Sequence, residues 1–340
     1  MLAAVTRGPH AIDLIDVPDP APPGPGQVLL RPEVVGICGS DLHLLAGELN
    51  VVGNPTLPRV QGHELSAIVV EAGPGVDLAP GTRVAMWPLR PCGGCYPCSV
   101  GRPNVCDAFE LVGIHVDGGL AQLLRVPAAQ VFPIDVDDPE VAALVEPASI
   151  AVRAITRAGV QAGEPVVVLG AGPIGQLVTL AALDAGARVL TVDPLASRLD
   201  YARALGADAQ PWTDRDAVVA AAQAWAGADG VPCVIDATGN PEAIAAGVEM
   251  AASAGRIAIV GMSGAQVTLP VVAFVAKELD VMGVSVCQAD EFARAVALIE
   301  RRQEAARTLI SHRFPFDQTP EALAFAMDHP TEVMKVVIGV

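Results

Sequence analysis

A strand, a glycine loop and a helix follow one another through Val166-Val167-Val168-Leu169-Gly170-Ala171-Gly172-Pro173-Ile174-Gly175, and no other stretch restricts the fold as much. The apolar β-branched run reads as a buried strand, and the Ala- and Leu-rich continuation as a helix. In the G-x-G-x-x-G spacing between them, Gly170 makes the turn. Gly172 lets a pyrophosphate approach the backbone at the helix N-terminus, Gly175 allows close helix–sheet packing, and Pro173 and Ile174 complete the loop. The next strand ends at Asp193, close to the ~20 residues expected beyond such a loop. A carboxylate there accepts hydrogen bonds from the ribose hydroxyls of NAD and repels the extra phosphate of NADP, so NAD is the expected coenzyme. The alternative for Asp193 is a helix cap beside Pro194. Arg198 either stacks on the adenine or is an ordinary helix cation.

The glycine loop is one step in a β then α alternation. It runs through strand 165–169, helix 172–185, strand 188–192, helix 197–205 and further strands at 233–236 and 256–260. Alternation of this kind implies a doubly wound parallel sheet with helices on both faces, an α/β fold. Residues 1–146 differ: short strands such as Gln27–Arg31 and Thr82–Met86 are broken by Pro and Gly, as in an irregular β-rich domain. We therefore expect a coenzyme domain over 147–282. The tail, with a helix at 291–302 and a strand at 335–338, is expected to rejoin the first domain, giving 1–146 with 283–340.

Two groups of metal-binding residue types lie in the first domain. Cys92, Cys95 and Cys98 are separated by two-residue gaps, and Cys106 closes the set. Four thiolates surround one tetrahedral zinc, whereas the seven-residue final gap differs from ferredoxin spacing for an iron–sulfur cluster. Upstream, Cys38 offers a thiolate and His63 an imidazole. No cysteine lies between Cys106 and Cys233, so a carboxylate is the expected third donor, with Glu64 and Glu146 as candidates. Three protein ligands and an open position make a catalytic zinc site. Two zinc ions per chain, one catalytic and one structural, are expected.

Composition excludes several partners. The net charge of −17 is scattered, and nucleic acid requires clustered positive charge. The apolar content of 52% contains no charge-free run of the ~20 residues that span a bilayer, so no membrane association is expected. The first ten residues lack the signature of a secretion signal, which leaves the cytoplasm as the expected location. There the seven cysteines read as ligands and core residues rather than disulfides.

The chain resembles the zinc-dependent medium-chain alcohol dehydrogenases, especially their polyol (sorbitol) and threonine dehydrogenase branch. The likeness rests on Gly36-Ile37-Cys38-Gly39-Ser40-Asp41-Leu42-His43, Gly62-His63-Glu64, the four-cysteine lobe, Asp117-Gly118-Gly119-Leu120-Ala121, Val145-Glu146-Pro147-Ala148-Ser149, Gly170 to Gly175, and Lys277-Glu278-Leu279. It implies a GroES-like first domain, and a catalytic zinc held by Cys38, His63 and a glutamate, either Glu64 or Glu146. It implies a proton relay through Ser40 and His43, and a role for Asp41 in orienting His63. Lys335 is expected to reach the coenzyme pyrophosphate. The implied reaction is NAD-linked oxidation of a small-molecule secondary alcohol (a polyol, sugar or sugar acid) to a ketone. Aliphatic secondary alcohols and threonine-type substrates are alternatives, and a homo-oligomer, dimer or tetramer, is expected.

Two departures bear on the substrate. Sorbitol dehydrogenases usually place an Arg-Tyr pair where this chain has Ser285-Val286-Cys287, and threonine dehydrogenases a Trp-rich stretch where it has Leu44-Leu45-Ala46-Gly47. A zinc-free reductase of the same superfamily would not need Cys38, His63 and the cysteine lobe. A non-catalytic NAD-binding sensor would not need Ser40 and His43.

Overall fold

The computed structural model describes residues 1–227 and 229–340. The chain forms two compact units, Met1–Glu146 with Gln288–Val340, and Pro147–Cys287. The second unit ends five residues later than the sequence boundary at 282. The strand Asp280–Gly283 is part of its sheet, and the Val284 N–H continues the ladder to the Ile259 carbonyl at 2.9 Å. The chain leaves only at Gln288, which caps the helix Ala289–Arg301.

In the first unit a seven-stranded sheet carries Val131–Pro133, Arg83–Met86, Glu64–Ala72, Gln27–Gly36, Lys335–Gly339 and Ile310–Pro315 in that spatial order, with Leu124–Pro127 also paired to Gln27–Gly36. Its core includes Val35, Leu65, Val84, Leu120, Val336 and Ile338. The C-terminal strand lies directly beside Gln27–Gly36, which draws the tail into this unit. That tail holds more than the sequence indicated: besides the helix and the last strand it forms the strand Ile310–Pro315 and the helix Thr319–Asp328. A short antiparallel pair, Leu89–Arg90 with Glu110–Leu111, forms the base of the cysteine lobe.

The second unit is a six-stranded, wholly parallel sheet in the order Asp208–Pro211, Arg188–Asp193, Pro165–Leu169, Val231–Asp236, Ala251–Ile259 and Asp280–Gly283. Its central strands, Pro165–Leu169 and Val231–Asp236, are mostly apolar and buried, as in a sheet covered on both faces. Val167, Leu169, Val192, Val234 and Ile257 form the core. The Gly-rich loop leaves a central strand for the helix Pro173–Asp184. Among the described residues no helix is long and apolar enough to cross a membrane.

Candidate metal and coenzyme sites

Cys38 is the N-cap of the helix Gly39–Ala46, which places Ser40 and His43 on that helix. Asp41 ties the loop together: its carboxylate accepts the Cys38 N–H at 3.0 Å and the Gly62 N–H at 3.3 Å, and stands 3.9 Å from His63 Nδ1. Gly62 has φ +93° and is packed backbone to backbone beneath Gly113 and Gly118, leaving no room for a Cβ at either of those two positions. The Asp117-Gly118-Gly119-Leu120 segment is thus a support behind His63, anchored where Asp117 accepts the Val60 N–H. Ser40 Oγ lies 3.1 Å from Cys38 Sγ. His43 Nδ1 is 2.5 Å from Glu48 Oε2, and both side chains are about half exposed.

Donor atoms of Cys38, His63 and Glu64 lie within 4.8 Å of one another. Glu146 falls outside that trio, although it is close enough to act electrostatically on His63. Burial pushes the Cys38 thiol up to about 12, with Glu64 and Asp41 adding to it, and pushes the Glu146 carboxyl up to about 8. His63 responds oppositely: burial works against its charge, but Asp41, Glu146 and Glu64 outweigh it and raise the pKa. His63 Nδ1 is buried with no hydrogen-bond partner among the described residues. Soft and hard donors crowd together, with more buried acids than cations to balance them. That donor set fits zinc, which takes Cys, His and carboxylate ligands.

Lys335, expected at a pyrophosphate, lies beside Glu64. Its Nζ lies 2.6 and 2.9 Å from the two Glu64 oxygens and donates to the Ile37 carbonyl at 3.2 Å, fully inside the first unit. In the first unit this lysine is only 4% exposed and is paired with the Glu64 carboxylate.

In the lobe, the sulfurs of Cys92, Cys95, Cys98 and Cys106 also lie within 4.8 Å of one another. Cys95 Sγ is 3.5 Å from Cys98 Sγ and 3.6 Å from Cys106 Sγ. A tetrahedron with Zn–S bonds of ~2.3 Å has edges of ~3.8 Å, whereas a disulfide requires ~2.05 Å. The spacing is that of ligands around an ion. The Gly94 N–H, followed by Cys106, holds the Cys92 thiol down to about 6, which favours the thiolate.

In the second unit, Gly170 turns at φ +93°, and a Cβ on Gly175 would stand 1.9 Å from the Gly170 carbonyl oxygen. A Cβ built on Gly172, the N-cap of a twelve-residue helix, would meet no described atom outside its own loop and helix nearer than Arg198 Nη1, at 3.8 Å. That opening meets the requirement for a pyrophosphate. Asp193 is 4% exposed; it accepts the Ala171 and Leu195 N–H groups, each at 2.8 Å, and lies 4.0 Å from Arg198. The carboxylate is fixed against the loop. Pro173 and Ile174 open the helix that follows.

Residues 24–136 match the alcohol dehydrogenase GroES-like domain, and residues 173–301 the zinc-binding dehydrogenase domain. The chain is 34% identical to L-galactonate-5-dehydrogenase of Escherichia coli K12, covering 93% of this chain and 92% of that protein. It is also 34% identical to human sorbitol dehydrogenase, over 94% and 91%. The chain belongs to the zinc-dependent medium-chain alcohol dehydrogenases. Its fold superposes on a zinc-binding dehydrogenase from Sinorhizobium meliloti 1021 bound to NADP, at 33% identity and TM-score 0.89, over 100% of this chain and 99% of that one. This dehydrogenase is an oxidoreductase acting on CH–OH groups of small molecules, with a GroES-like unit and a Rossmann-type unit.

Sequence reasoning missed two partners in this dehydrogenase. Glu48 meets His43 because Gly47, at φ +78°, reverses the chain at the helix end. An acid placed just past a helix-ending glycine is a legible signal. The Lys335–Glu64 pair has no local signal, because it depends on strand order.

Proposed function

We propose that this dehydrogenase oxidises the secondary hydroxyl of a polyol or sugar acid to a ketone, with NAD as hydride acceptor. The observation that carries the reading is the convergence of Cys38, His63 and Glu64 donor atoms within 4.8 Å, in a chain whose second unit presents an open glycine loop. Relatives named for L-galactonate and sorbitol support a polyhydroxylated substrate.

In this reading Cys38, His63 and Glu64 hold a catalytic zinc, Glu146 flanks it, and Cys92, Cys95, Cys98 and Cys106 hold a structural zinc. The glycines at 170, 172 and 175, with Pro173 and Ile174, cradle the coenzyme. When bound, zinc supplies Lewis-acid stabilisation of charge on the alcohol oxygen and NAD accepts the hydride. Asp41 fixes the loop that carries Cys38 and lies beside His63 Nδ1. Ser40 Oγ receives the proton released from the alcohol, and His43, half exposed and paired with Glu48, passes it to solvent. Asp193 selects NAD over NADP in this reading: its carboxylate, fixed against the glycine loop and 4.0 Å from Arg198, would accept a free ribose and repel a 2'-phosphate.

Self-association accompanies this reading. Met262, Val271, Val272 and Val275 are each at least 70% exposed, in the segment that joins Ala251–Ile259 to the edge strand Asp280–Gly283. An edge strand beside an apolar face suits isologous pairing with a second copy as a dimer or tetramer. Seven free cysteines, four in one lobe, suit the reducing cytoplasm.

The test is a panel of polyols, sugar acids and aliphatic secondary alcohols, with NAD and NADP separately, followed by coenzyme absorbance. NAD-dependent turnover highest on a polyol or sugar acid is the expected result. Turnover confined to aliphatic alcohols, or preferring NADP, would overturn the substrate or coenzyme part respectively.

A further inference from the structure

Glu64 and Lys335 are 271 residues apart, yet they form a buried pair whose side chains are 2% and 4% exposed. The sheet explains the meeting. Gln27–Gly36 lies between Glu64–Ala72 and Lys335–Gly339, and Gly36 pairs with Glu64 on one side and Val337 on the other. A side chain at position 36 would run into the carboxylate: a Cβ there would be 2.5 Å from Glu64 Oε2. Glycine at this position leaves room for the Glu64 carboxylate. The same carboxylate places an oxygen within 4.8 Å of the Cys38 sulfur and a His63 nitrogen. One acid therefore faces an ammonium on one side and a metal-binding pair on the other.

We propose that Lys335 is a positioning residue that holds Glu64 beside Cys38 and His63 and competes with the metal for its negative charge. The inference rests on the reading of those three residues as a metal site. A carboxylate with both oxygens engaged by an ammonium donates less charge to a cation. Without Lys335, Glu64 would be a buried anion with no fixed counter-charge, a costly state that metal binding relieves. Lys335 thus keeps the metal less tightly held than the three ligands alone would hold it.

The test loads both sites with cobalt(II) and titrates the protein with a chelator while following visible absorbance. The four-thiolate lobe and the single-thiolate Cys38 site give thiolate bands of different intensity, so release from each is read separately without any activity measurement. Lys335→Met should require about tenfold more chelator for half-release from the Cys38 site, the order of one charge-assisted hydrogen bond. Lys335→Arg, which can still pair with the carboxylate, should stay near the wild type. In a Glu64→Gln background, adding Lys335→Met should change nothing, because the effect passes through Glu64. If Lys335→Met does not fold, Lys335→Gln takes its place. Unchanged or easier release in the neutral variant, or an effect that persists in Glu64→Gln, would overturn the inference. A wild-type protein that binds cobalt only in the lobe would instead overturn the metal-site reading on which it rests.

Discussion

Cys95→Ala is expected to unfold the lobe while leaving both units folded. Between positions 91 and 108 only Asn104 and Cys106 are buried, so the segment has no hydrophobic core. Ordering the fifteen residues from Cys92 to Cys106 costs about 15 kcal/mol at ~1 kcal/mol of backbone entropy each. A four-ligand zinc site supplies ~10–16 kcal/mol, enough to offset it almost alone. Cys95 Sγ stands 3.5 Å from Cys98 Sγ and 3.6 Å from Cys106 Sγ. Losing one ligand in four removes on the order of a quarter of that binding, ~3–4 kcal/mol, a several-hundredfold loss of zinc retention. The assay is amide hydrogen exchange with elemental analysis. Protection should disappear across 92–106 and one zinc should be lost, while the strand Pro165–Leu169 stays protected. A variant that keeps its zinc and its lobe protection but loses turnover would refute the reasoning, because the lobe would then be chemical rather than structural.

The remaining expectations concern the two sites. Cys38→Ala should abolish turnover while NADH fluorescence titration still shows binding, and Ser40→Ala should lower kcat at least tenfold with zinc content unchanged, since it removes a proton acceptor rather than a ligand; normal turnover in either would contradict its assignment. Asp193→Ser should weaken NAD and relieve repulsion of NADP, so the ratio of kcat/KM for the two coenzymes should move toward NADP, and an unchanged ratio would show that Asp193 does not face the ribose. Asp236, at the end of Val231–Asp236, is raised above 3.8 by burial, against the N–H groups of Thr238 and Gly239 and the Thr238 hydroxyl that favour its charge. The folded protein then holds this proton more tightly than the unfolded chain, so the group's contribution to stability falls as pH rises through the window above 3.8. Asp236→Asn cannot titrate, and its chemical-denaturation stability relative to the wild type should drop as pH is lowered across that window; a pH-independent difference would contradict the shift.

What the sequence made legible was local. The glycine loop places turn, strand and helix within ten residues, and the cysteine spacing requires only a short loop, so both are readable without knowing where the rest of the chain goes. The strand Ala251–Ile259 began earlier than its apolar run because Ala251 to Gly255 have little β preference of their own; the start of the strand depends on its pairing with Val231–Asp236. Ile310–Pro315 escaped notice because it is an edge strand with a mostly half-exposed pattern, and its partner Lys335–Gly339 lies at the far end of the chain. The choice between Glu64 and Glu146 could not be read from spacing, since either can approach Cys38 until the strand order is known. In the fold Glu64 starts a strand beside Gly36, next to Cys38, and its carboxylate gathers with Cys38 and His63, while Glu146 sits at the head of the helix Val145–Ala158.

The chemistry assigned to this chain is hydride transfer from a secondary carbinol carbon to a nicotinamide. The most direct measurement uses a polyol that the enzyme turns over, deuterated at the reacting carbinol carbon, with unlabelled NAD, and reads the reduced coenzyme by proton NMR and mass spectrometry. One deuterium on the nicotinamide ring for each ketone formed, with no exchange into solvent, is the expected result. Ketone formed without deuterium on the coenzyme, or coenzyme reduced with the label lost to water, would contradict it.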